Sequence, residues 1–378
     1  MFLIERLFGI GVYMLLLVIA CWLLTKTTAR AQSVLKYYLL ALCVMAAFYV
    51  PYYTGDLYRM YILMDFFADM TFVQFWRDYV VLASSPASRL LMWCISKTGM
   101  YALLPMLSAF VCYSVLFYTI LKVQWAFDIS KRNLAYVLFF IMSTSMYLSV
   151  IGGVRMMIAF SLLFYCFYRV AVEKKLHVFD LLVAIVAILF HTTALVIITV
   201  CVAVIIFNSR RHLAWRFAWA ALLFSFAAAL VVMFPGIIPE FFEKISDYVW
   251  GDRFSDKWEY LMGALILLLL LLLFIEYRKL DAAARPQSLR PMNIVAMVCI
   301  LISLGFFFEF SIFYRFGGHF AVIFAIPTLM VTLERSGGQA SHLVRRIDFK
   351  SILLTVSLLI ALISCSRGSL SSLKFFEL

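Results

Sequence analysis

The sequence predicts an all-α, polytopic integral membrane protein, and two features of its composition carry that prediction. Of the 378 residues, 66% are hydrophobic and only 14% are charged, whereas charged residues make up about a quarter of a typical globular domain. The mean hydropathy is +1.02, so the chain has more apolar surface than a soluble fold of this size can bury. We therefore expect a single membrane domain over residues 1–378, with about twelve transmembrane helices and two larger loops on the outer face.

The predicted spans are the apolar runs between charged breaks, since roughly 17 to 25 residues are needed to cross a bilayer. The N-terminal run has no small-residue cleavage site after it, so we expect it to be a span and not a signal peptide. The twelve predicted spans are 8–24, 37–53, 99–121, 135–151, 156–172, 178–190, 193–207, 214–234, 260–277, 292–312, 317–333 and 350–366.

Residues 178–207 are too long for one untilted helix and short for two. The segments on either side, EKKLH and NSRRH, are both basic, and basic flanks face the cytoplasm. The segment must therefore go out and return, as a hairpin that turns at His191. Extended to the whole chain, this topology places both termini outside and assigns 20 of the 32 Lys and Arg residues, but only 7 of the 20 acidic residues, to the cytoplasmic side.

Two loops are expected on the outer face, at about 54–98 and 235–259. The first is apolar enough to resemble a span, but its charged residues would each cost about 3 kcal/mol in hydrocarbon; they are Asp65, Asp69, Arg77 and Asp78. We expect helices that lie in the membrane interface or pack over a cavity. The second loop mixes Trp, Phe and charges in the same way.

Outer-face cations are informative because the positive-inside rule disfavours them. Arg155 (IGGVRMM) and Arg315 (FYRFGGHF) are predicted in tight turns beside glycine pairs, and His191 and His319 occupy comparable turns. Each arginine alone is explained by snorkelling to the interface. Two arginines and two histidines at one membrane level favour a phosphate site, because the guanidinium fork matches phosphate oxygens.

Acidic residues at the same level are candidate partners or bases. Asp56 and Arg59 follow the second span in GDLYR, where Gly-Asp is also a common turn sequence. Glu309 lies inside an apolar run before Arg315, so a buried carboxylate there should pair with an arginine; a general base is the second interpretation.

Several function classes are disfavoured. The eight cysteines are scattered singly without metal spacing, and no P-loop, HExxH or GxSxG motif is present. Without such motifs, no cofactor or metal is expected. No nucleic-acid partner is expected either, since basic cytoplasmic loops explain the net charge of +12. Any transfer reaction would have to use an activated lipid donor.

Several motifs resemble the EpsG/Wzy-like family of polysaccharide polymerases. GGVRMMIAF is similar to that family's Arg-containing start of a span, on Arg155 and Ala159, and FHTTA is similar to its Phe-His turn, on Phe190, His191, Thr193 and Ala194. GDLYRMY resembles an Asp-x-x-x-Tyr exit, on Asp56 and Tyr61, and YRFGGHFAVIFAIPTL resembles a late Arg turn, on Arg315 and Pro327. Met156 stands where the family usually has Gln, and Ser84-Ser85-Pro86 lacks an acidic residue often found nearby.

The resemblance implies polymerisation of undecaprenyl-diphosphate-linked oligosaccharide repeats, for O-antigen, capsule or exopolysaccharide, at the outer face of a bacterial cytoplasmic (inner) membrane. The growing glycan would pass to the non-reducing end of a new lipid-linked repeat. Arg155, Arg315 and Arg59 are the expected diphosphate ligands. His191, Asp56, His319 and Glu309 are the expected catalytic residues. Membrane lipid, a flippase and a chain-length regulator are the expected partners.

Three alternatives stay open from the sequence. A flippase for the same lipid would also have interior cations, although it usually contains two similar halves and no repeat is visible here. A lipid-A-type ligase would use the same donor with another acceptor. A dolichol-type glycosyltransferase would place its acid in the first outer loop, where Asp56 is expected.

Overall fold

A computed structural model describes residues 2–26, 28–53, 55–81, 83–144, 146–208, 257–307, 309–336 and 349–366. Throughout these ranges the regular structure is helical and contains no β-strand, which confirms the all-α prediction. The predicted span 214–234 and most of the predicted loop 235–259, including Arg253, which that topology places on the outer face, lie outside the described residues.

The first half of the chain forms eleven described helices, several of them short. They are α1 (Phe2–Thr25), α2 (Ala31–Ala47), α3 (Asp56–Ala68), α4 (Phe72–Phe75), α5 (Pro86–Ser96), α6 (Leu103–Phe127), α7 (Lys131–Ser143), α8 (Met146–Gly152), α9 (Val154–Ala171), α10 (Val178–Phe190) and α11 (Ala194–Asn208). A π-helical turn, Trp76–Val80, continues α4.

The described part of the second half adds five α-helices and a longer π-helix. The α-helices are α12 (Lys257–Lys279), α13 (Arg290–Gly305), α14 (Phe310–Phe313), α15 (Val322–Ser336) and α16 (Phe349–Ser366). The π-helix spans Tyr314–Ala321 and joins α14 to α15; we call it the π segment.

The helices are those of a polytopic membrane protein. Among the described residues, six helical stretches are long and apolar enough to cross a bilayer, and four shorter helices of 10–17 residues are also apolar. Side chains of α1 and α16 such as Leu15, Trp22 and Leu362 are more than half exposed, as expected where helices face lipid. The total of twelve spans stays a prediction.

Some predicted span boundaries are wrong, and local chemistry explains one of them. The predicted span 135–151 is broken into α7 and α8 at Thr144, which adopts an extended backbone while its hydroxyl donates to the Ile141 carbonyl at 2.6 Å. Thr144 thereby ends the helix and satisfies a carbonyl at its C-terminus. The predicted span 292–312 ends at Gly305, where the chain bends before α14. Helix α2 begins six residues earlier than predicted.

The predicted outer loop 54–98 is helical, as expected. It forms α3, α4 and α5, and α3 packs against α5. Phe67 and Phe75 bury their rings against each other with centroids 5.0 Å apart, and both belong to the hydrophobic core that the loop shares with the helix bundle. Its location in the membrane interface stays a prediction.

The π segment and α15 form the centre of the bundle. Every residue from 316 to 333 is buried, so this stretch faces protein on all sides. Helix α9 packs along it through aromatic pairs, Phe160 on Phe320 with centroids 3.8 Å apart and Phe164 on Phe324 at 5.5 Å. The strongly apolar sequence of this stretch therefore specifies a core helix.

Polar contacts mark one end of the bundle, where the predicted cytoplasmic turns lie. Asp180 at the start of α10 is 3.3 Å from Arg169 near the end of α9. Glu334 near the end of α15 accepts hydrogen bonds from the Ser130 backbone N–H and the Asn133 amide, both at 2.7 Å. The opposite ends of α9, α10 and α15 are therefore brought together at the other end of the bundle.

Candidate functional site

A cavity of about 350 Å³ opens at that second end of the bundle. It lies where α3 and α9 begin, where α8 and α10 end, and where the π segment starts. The described residues that line it are Asp56, Met60, Leu148, Ser149, Gly152, Gly153, Arg155, Met156, His191, Tyr314, Arg315 and His319. Five of the seven site residues expected from sequence are in this set.

Arg155 reaches the cavity from the first turn of α9. Its neighbour Gly153 is the N-cap residue, and the Gly153 N–H donates to the Ser149 carbonyl at 2.8 Å. A Cβ on Gly153 would lie 2.9 Å from that carbonyl oxygen, so only glycine permits this tight entry into the helix. The first N–H groups of a helix lack intrahelical partners and carry partial positive charge. Together with the partly buried Arg155, they make this wall of the cavity suited to an anion.

His191 lies at the cavity as the residue that ends α10. Its backbone is extended, and its Nδ1 accepts a hydrogen bond from the Thr193 N–H at 3.2 Å. In the neutral imidazole the proton then belongs on Nε2. In that tautomer Nε2 is the ring's hydrogen-bond donor, and the catalytic role expected of His191 stays a prediction.

Arg315 and His319 belong to the π segment and not to a tight turn between spans, so that expectation was wrong. The glycine pair at 317–318 indicated a turn, but both glycines are buried in continuous helix, and the turn lies earlier, after Gly305. A Cβ on Gly318 would lie 3.1 Å from the Tyr314 ring. The glycines serve close packing, and the helix carries Arg315 and His319 to the cavity wall.

Asp56 is the first residue of α3, with Gly55 as its N-cap. It is the one acidic side chain among the described residues that line the cavity. A carboxylate in the first turn is stabilised by the helix dipole. The ion pair between Asp56 and Arg59 is long, at 3.9 Å, and both side chains are at least half exposed, so it contributes little energy.

The remaining two expected site residues lie elsewhere. Arg59 is exposed on α3 and is not among the described residues that line the cavity. Glu309 is buried, with 6% exposure, but it precedes α14 at the bend and is likewise absent from the lining. Its backbone carbonyl accepts hydrogen bonds from the N–H groups of Ile312 and Phe313, at 3.1 and 2.9 Å.

Phe160 lies behind the cavity lining and packs together the elements that carry it, although its sequence position did not mark it as a site residue. The Phe160 ring contacts Phe320 of the segment that carries Arg315, and its centroid is 6.3 Å from that of His191. Phe160 lies on α9, the helix that carries Arg155, and contacts both the π segment and the end of α10. The spacing of Phe160, Phe164 and Phe167 along one helix face could have indicated this packing surface.

Met156 and Tyr314 do line the cavity, although neither was predicted to be a site residue. Met156 stands where the resemblance would place Gln, and its side chain is buried at the cavity wall. A thioether there offers only a weak acceptor, so this wall relies on the arginine and the backbone for polar contacts. Tyr314 packs its ring against His319 at 4.8 Å and 75°, and nothing in its sequence context distinguished it from the other aromatic residues nearby.

The arrangement can bind an anion and accept a proton in one place. Two guanidinium groups and a helix N-terminus supply positive charge, His191 supplies a donor, and Asp56 supplies a carboxylate. Across the described ranges, no three His, Cys, Asp or Glu side chains are grouped closely enough to hold a metal ion.

The fold and this cavity define a polytopic membrane protein with a cation-lined site at one end of its helix bundle. The model of the EpsG family matches residues 49–365, which is most of the chain and includes every lining residue of the cavity. The chain belongs to the EpsG family, as its motifs predicted, and it is a polysaccharide polymerase-like, glycosyltransferase-like membrane protein. No curated protein and no solved structure matches it.

Proposed function

We propose that the protein polymerises oligosaccharide repeats carried on undecaprenyl diphosphate, and that the cavity is the site of glycan transfer. The observation that carries the proposal is the convergence of Arg155, Arg315, His191 and Asp56 on one cavity from four separate elements. Their functional groups match the two requirements of the reaction, which are stabilisation of a leaving diphosphate and activation of a sugar hydroxyl.

The donor is the growing glycan on its lipid diphosphate. We place the diphosphate between Arg155, the N-terminus of α9 and Arg315, with the polyprenyl tail in the bilayer. When the bond between the anomeric carbon and the diphosphate oxygen breaks, its electron pair remains on the diphosphate. Arginines and backbone N–H groups stabilise that negative charge more in the transition state than in the ground state.

The acceptor is a hydroxyl at the non-reducing end of a new lipid-linked repeat. Its oxygen forms the new bond to the anomeric carbon, and its proton passes to Asp56. We favour Asp56 as the base because it is an exposed carboxylate in the cavity wall. His191 would donate from Nε2 to a sugar or phosphate oxygen.

His319 would orient the site and not accept the proton, because its Nδ1 is buried. We propose that Arg59 and Glu309 do not contact the substrate directly. Glu309 would stabilise the bend before the π segment.

The site would face the outside of the cytoplasmic membrane, because its turns carry few basic residues in comparison with the opposite end. We also propose that no divalent ion is needed, since the two arginines supply the charge that an ion would otherwise provide. A flippase and a chain-length regulator would then act before and alongside the protein.

The direct test uses the purified protein in proteoliposomes with a synthetic undecaprenyl-diphosphate-linked repeat and excess chelator. We expect a ladder of products, with one undecaprenyl diphosphate released for each repeat added. Movement of the substrate across the membrane without a ladder would identify a flippase instead. Transfer of the glycan to lipid A alone would identify a ligase, and activity restored only by magnesium would contradict the metal-free reaction.

A further inference from the structure

We propose that Ser303 is a positioning residue that holds the π segment in the register that brings Arg315 and His319 to the cavity. This inference rests on the proposed function for its catalytic consequence, although the register itself can be measured without any activity. Ser303 lies in α13, outside the cavity lining, and acts through the backbone.

The register matters because three residues of the π segment line one cavity. Tyr314, Arg315 and His319 all contact it. In an α-helix, Tyr314 and His319 would be about 140° apart around the axis, at about 100° per residue. A helix with i→i+5 bonding has more residues per turn, so positions four and five apart return to the same side. The π geometry therefore brings Tyr314, Arg315 and His319 to one wall.

A π-helix of this length needs support from outside, because its hydrogen-bond geometry is disfavoured and it is normally limited to a single turn. The support is a hydrogen bond across the bend. The buried Ser303 hydroxyl donates to the carbonyl of Phe313 at 2.7 Å, and Phe313 is the residue that precedes the π segment. This bond ties the end of α13 to the start of the π segment.

The close approach of the two helices depends on a glycine. A Cβ on Gly317 would lie 2.5 Å from the Ser303 hydroxyl oxygen and 2.9 Å from a Leu267 methyl group. Ser303 therefore fits against a position where the π segment has no side chain. We call Ser303, the Phe313 carbonyl and Gly317 the register lock.

His319 depends on this lock because, among the described residues, its Nδ1 contributes no hydrogen bond that would hold the ring in place. Its side chain is 2% exposed, and its Nδ1 is buried with no hydrogen-bond partner within the described part of the chain. The Tyr314 and His319 rings form a T-shaped pair with centroids 4.8 Å apart and planes at 75°. The backbone register and this packing thus set the direction of the imidazole, and loss of the lock would let the segment relax and turn Arg315 away with it.

The experiment compares variants at Ser303 in the full-length purified protein. Ser303→Ala removes the hydrogen bond without adding volume. Threonine and valine have the same shape, but only threonine keeps the hydroxyl. A difference between Ser303→Thr and Ser303→Val therefore reports the hydrogen bond and not the packing. The matched control is Ser357→Ala, on a helix away from the cavity. Ser357 is also fully buried, and its hydroxyl donates to the Leu353 carbonyl at 2.6 Å.

Two readouts distinguish positioning from a general structural role. The polymerisation kcat should fall at least about tenfold in Ser303→Ala and Ser303→Val, while KM changes less than about threefold because the lost alignment acts mainly in the transition state. The carbethoxylation rate of His319, followed by peptide mass spectrometry, should rise at least about threefold as the buried ring becomes accessible. Ser303→Thr should fall between Ser303→Val and the unaltered protein, and Ser357→Ala should match the unaltered protein in both.

Unchanged His319 reactivity in Ser303→Ala, or equal values for Thr and Val, would overturn the register lock. If the unaltered protein polymerises nothing, the proposed function fails, while the His319 reactivity still decides the lock. If the unaltered protein polymerises and Ser303→Ala does so at full rate, the lock fails and the proposed function stands.

Discussion

Arg155 and Arg59 carry the same guanidinium group near the same end of the bundle, but their surroundings differ. Arg155 is partly buried at a helix N-terminus in the cavity wall, whereas Arg59 is exposed on α3. The ends of the predicted spans indicate how deep a residue lies in the membrane. A site residue must lie at the right depth, but depth alone does not place it in the site. The lateral position of each side chain decides its contacts, and this position depends on packing between helices that are distant in sequence.

At the residue scale, Asp56→Asn tests the proposed base. The amide keeps the size of the side chain but cannot accept the proton in the transfer step, so we expect polymerisation to fall by roughly a hundredfold or more. Arg59→Gln is the control, because its exposed ion pair with Asp56 contributes little; it should retain most of the activity. Initial rates with purified proteins measure both, and near-normal turnover by Asp56→Asn would exclude this carboxylate as the base.

The two glycines before α9 provide a prediction at the element scale. A Cβ on Gly153 would lie 2.9 Å from the Ser149 carbonyl oxygen, whereas a Cβ on Gly152 would meet no atom within 4 Å. Gly153→Ala should shift the start of α9 and with it Arg155, which lowers the polymerisation rate by about tenfold or more. Gly152→Ala should preserve the rate. Equal effects of the two substitutions would show that the entry into α9 does not position the arginine.

Helices were predictable from sequence wherever hydropathy alone determines them. The long apolar runs of α9 and α12 were placed within three residues at each end, because an apolar stretch in a membrane must satisfy its backbone internally as helix. The breaks were harder to predict. Gly317-Gly318 indicated a turn, but close packing against Ser303 and Tyr314 keeps these residues helical. Such packing depends on the shapes of side chains from other helices and leaves no periodic signal in a single sequence.

At the scale of the whole molecule, the alternating direction of the helices brings the candidate residues together. Five residues predicted at one membrane level do line one cavity, since each lies where its element reaches the same end of the bundle. Glu309 shows that membrane level and hydropathy do not always predict which residues line the cavity. Its position in an apolar run predicted a buried carboxylate, correctly, but hydropathy could not predict that the chain bends there and leaves Glu309 outside the cavity lining.

The orientation in the membrane is testable with thiol labelling in intact cells. Val73 is 75% exposed in the predicted outer loop, and Ala283 is exposed between α12 and α13 on the predicted cytoplasmic side. In a Cys94→Ser background, which removes the exposed native thiol of the outer loop, Val73→Cys should react with an impermeant maleimide. Ala283→Cys should react only after the cells are permeabilised. The reverse pattern would place the cavity on the cytoplasmic side.

The central claim is that the cavity arginines hold a diphosphate through paired hydrogen bonds, and lysine substitution tests it most directly. Lysine keeps the positive charge and the capacity to snorkel but lacks the planar fork of donors. The measurement is the polymerisation rate of purified Arg155→Lys and Arg315→Lys, with Arg59→Lys as the control outside the cavity. We predict a loss of at least about tenfold for each cavity variant, equivalent to about 1.4 kcal/mol of transition-state stabilisation, and little change for Arg59→Lys. Near-normal rates for both cavity variants would reduce these arginines to interfacial anchors and contradict the account.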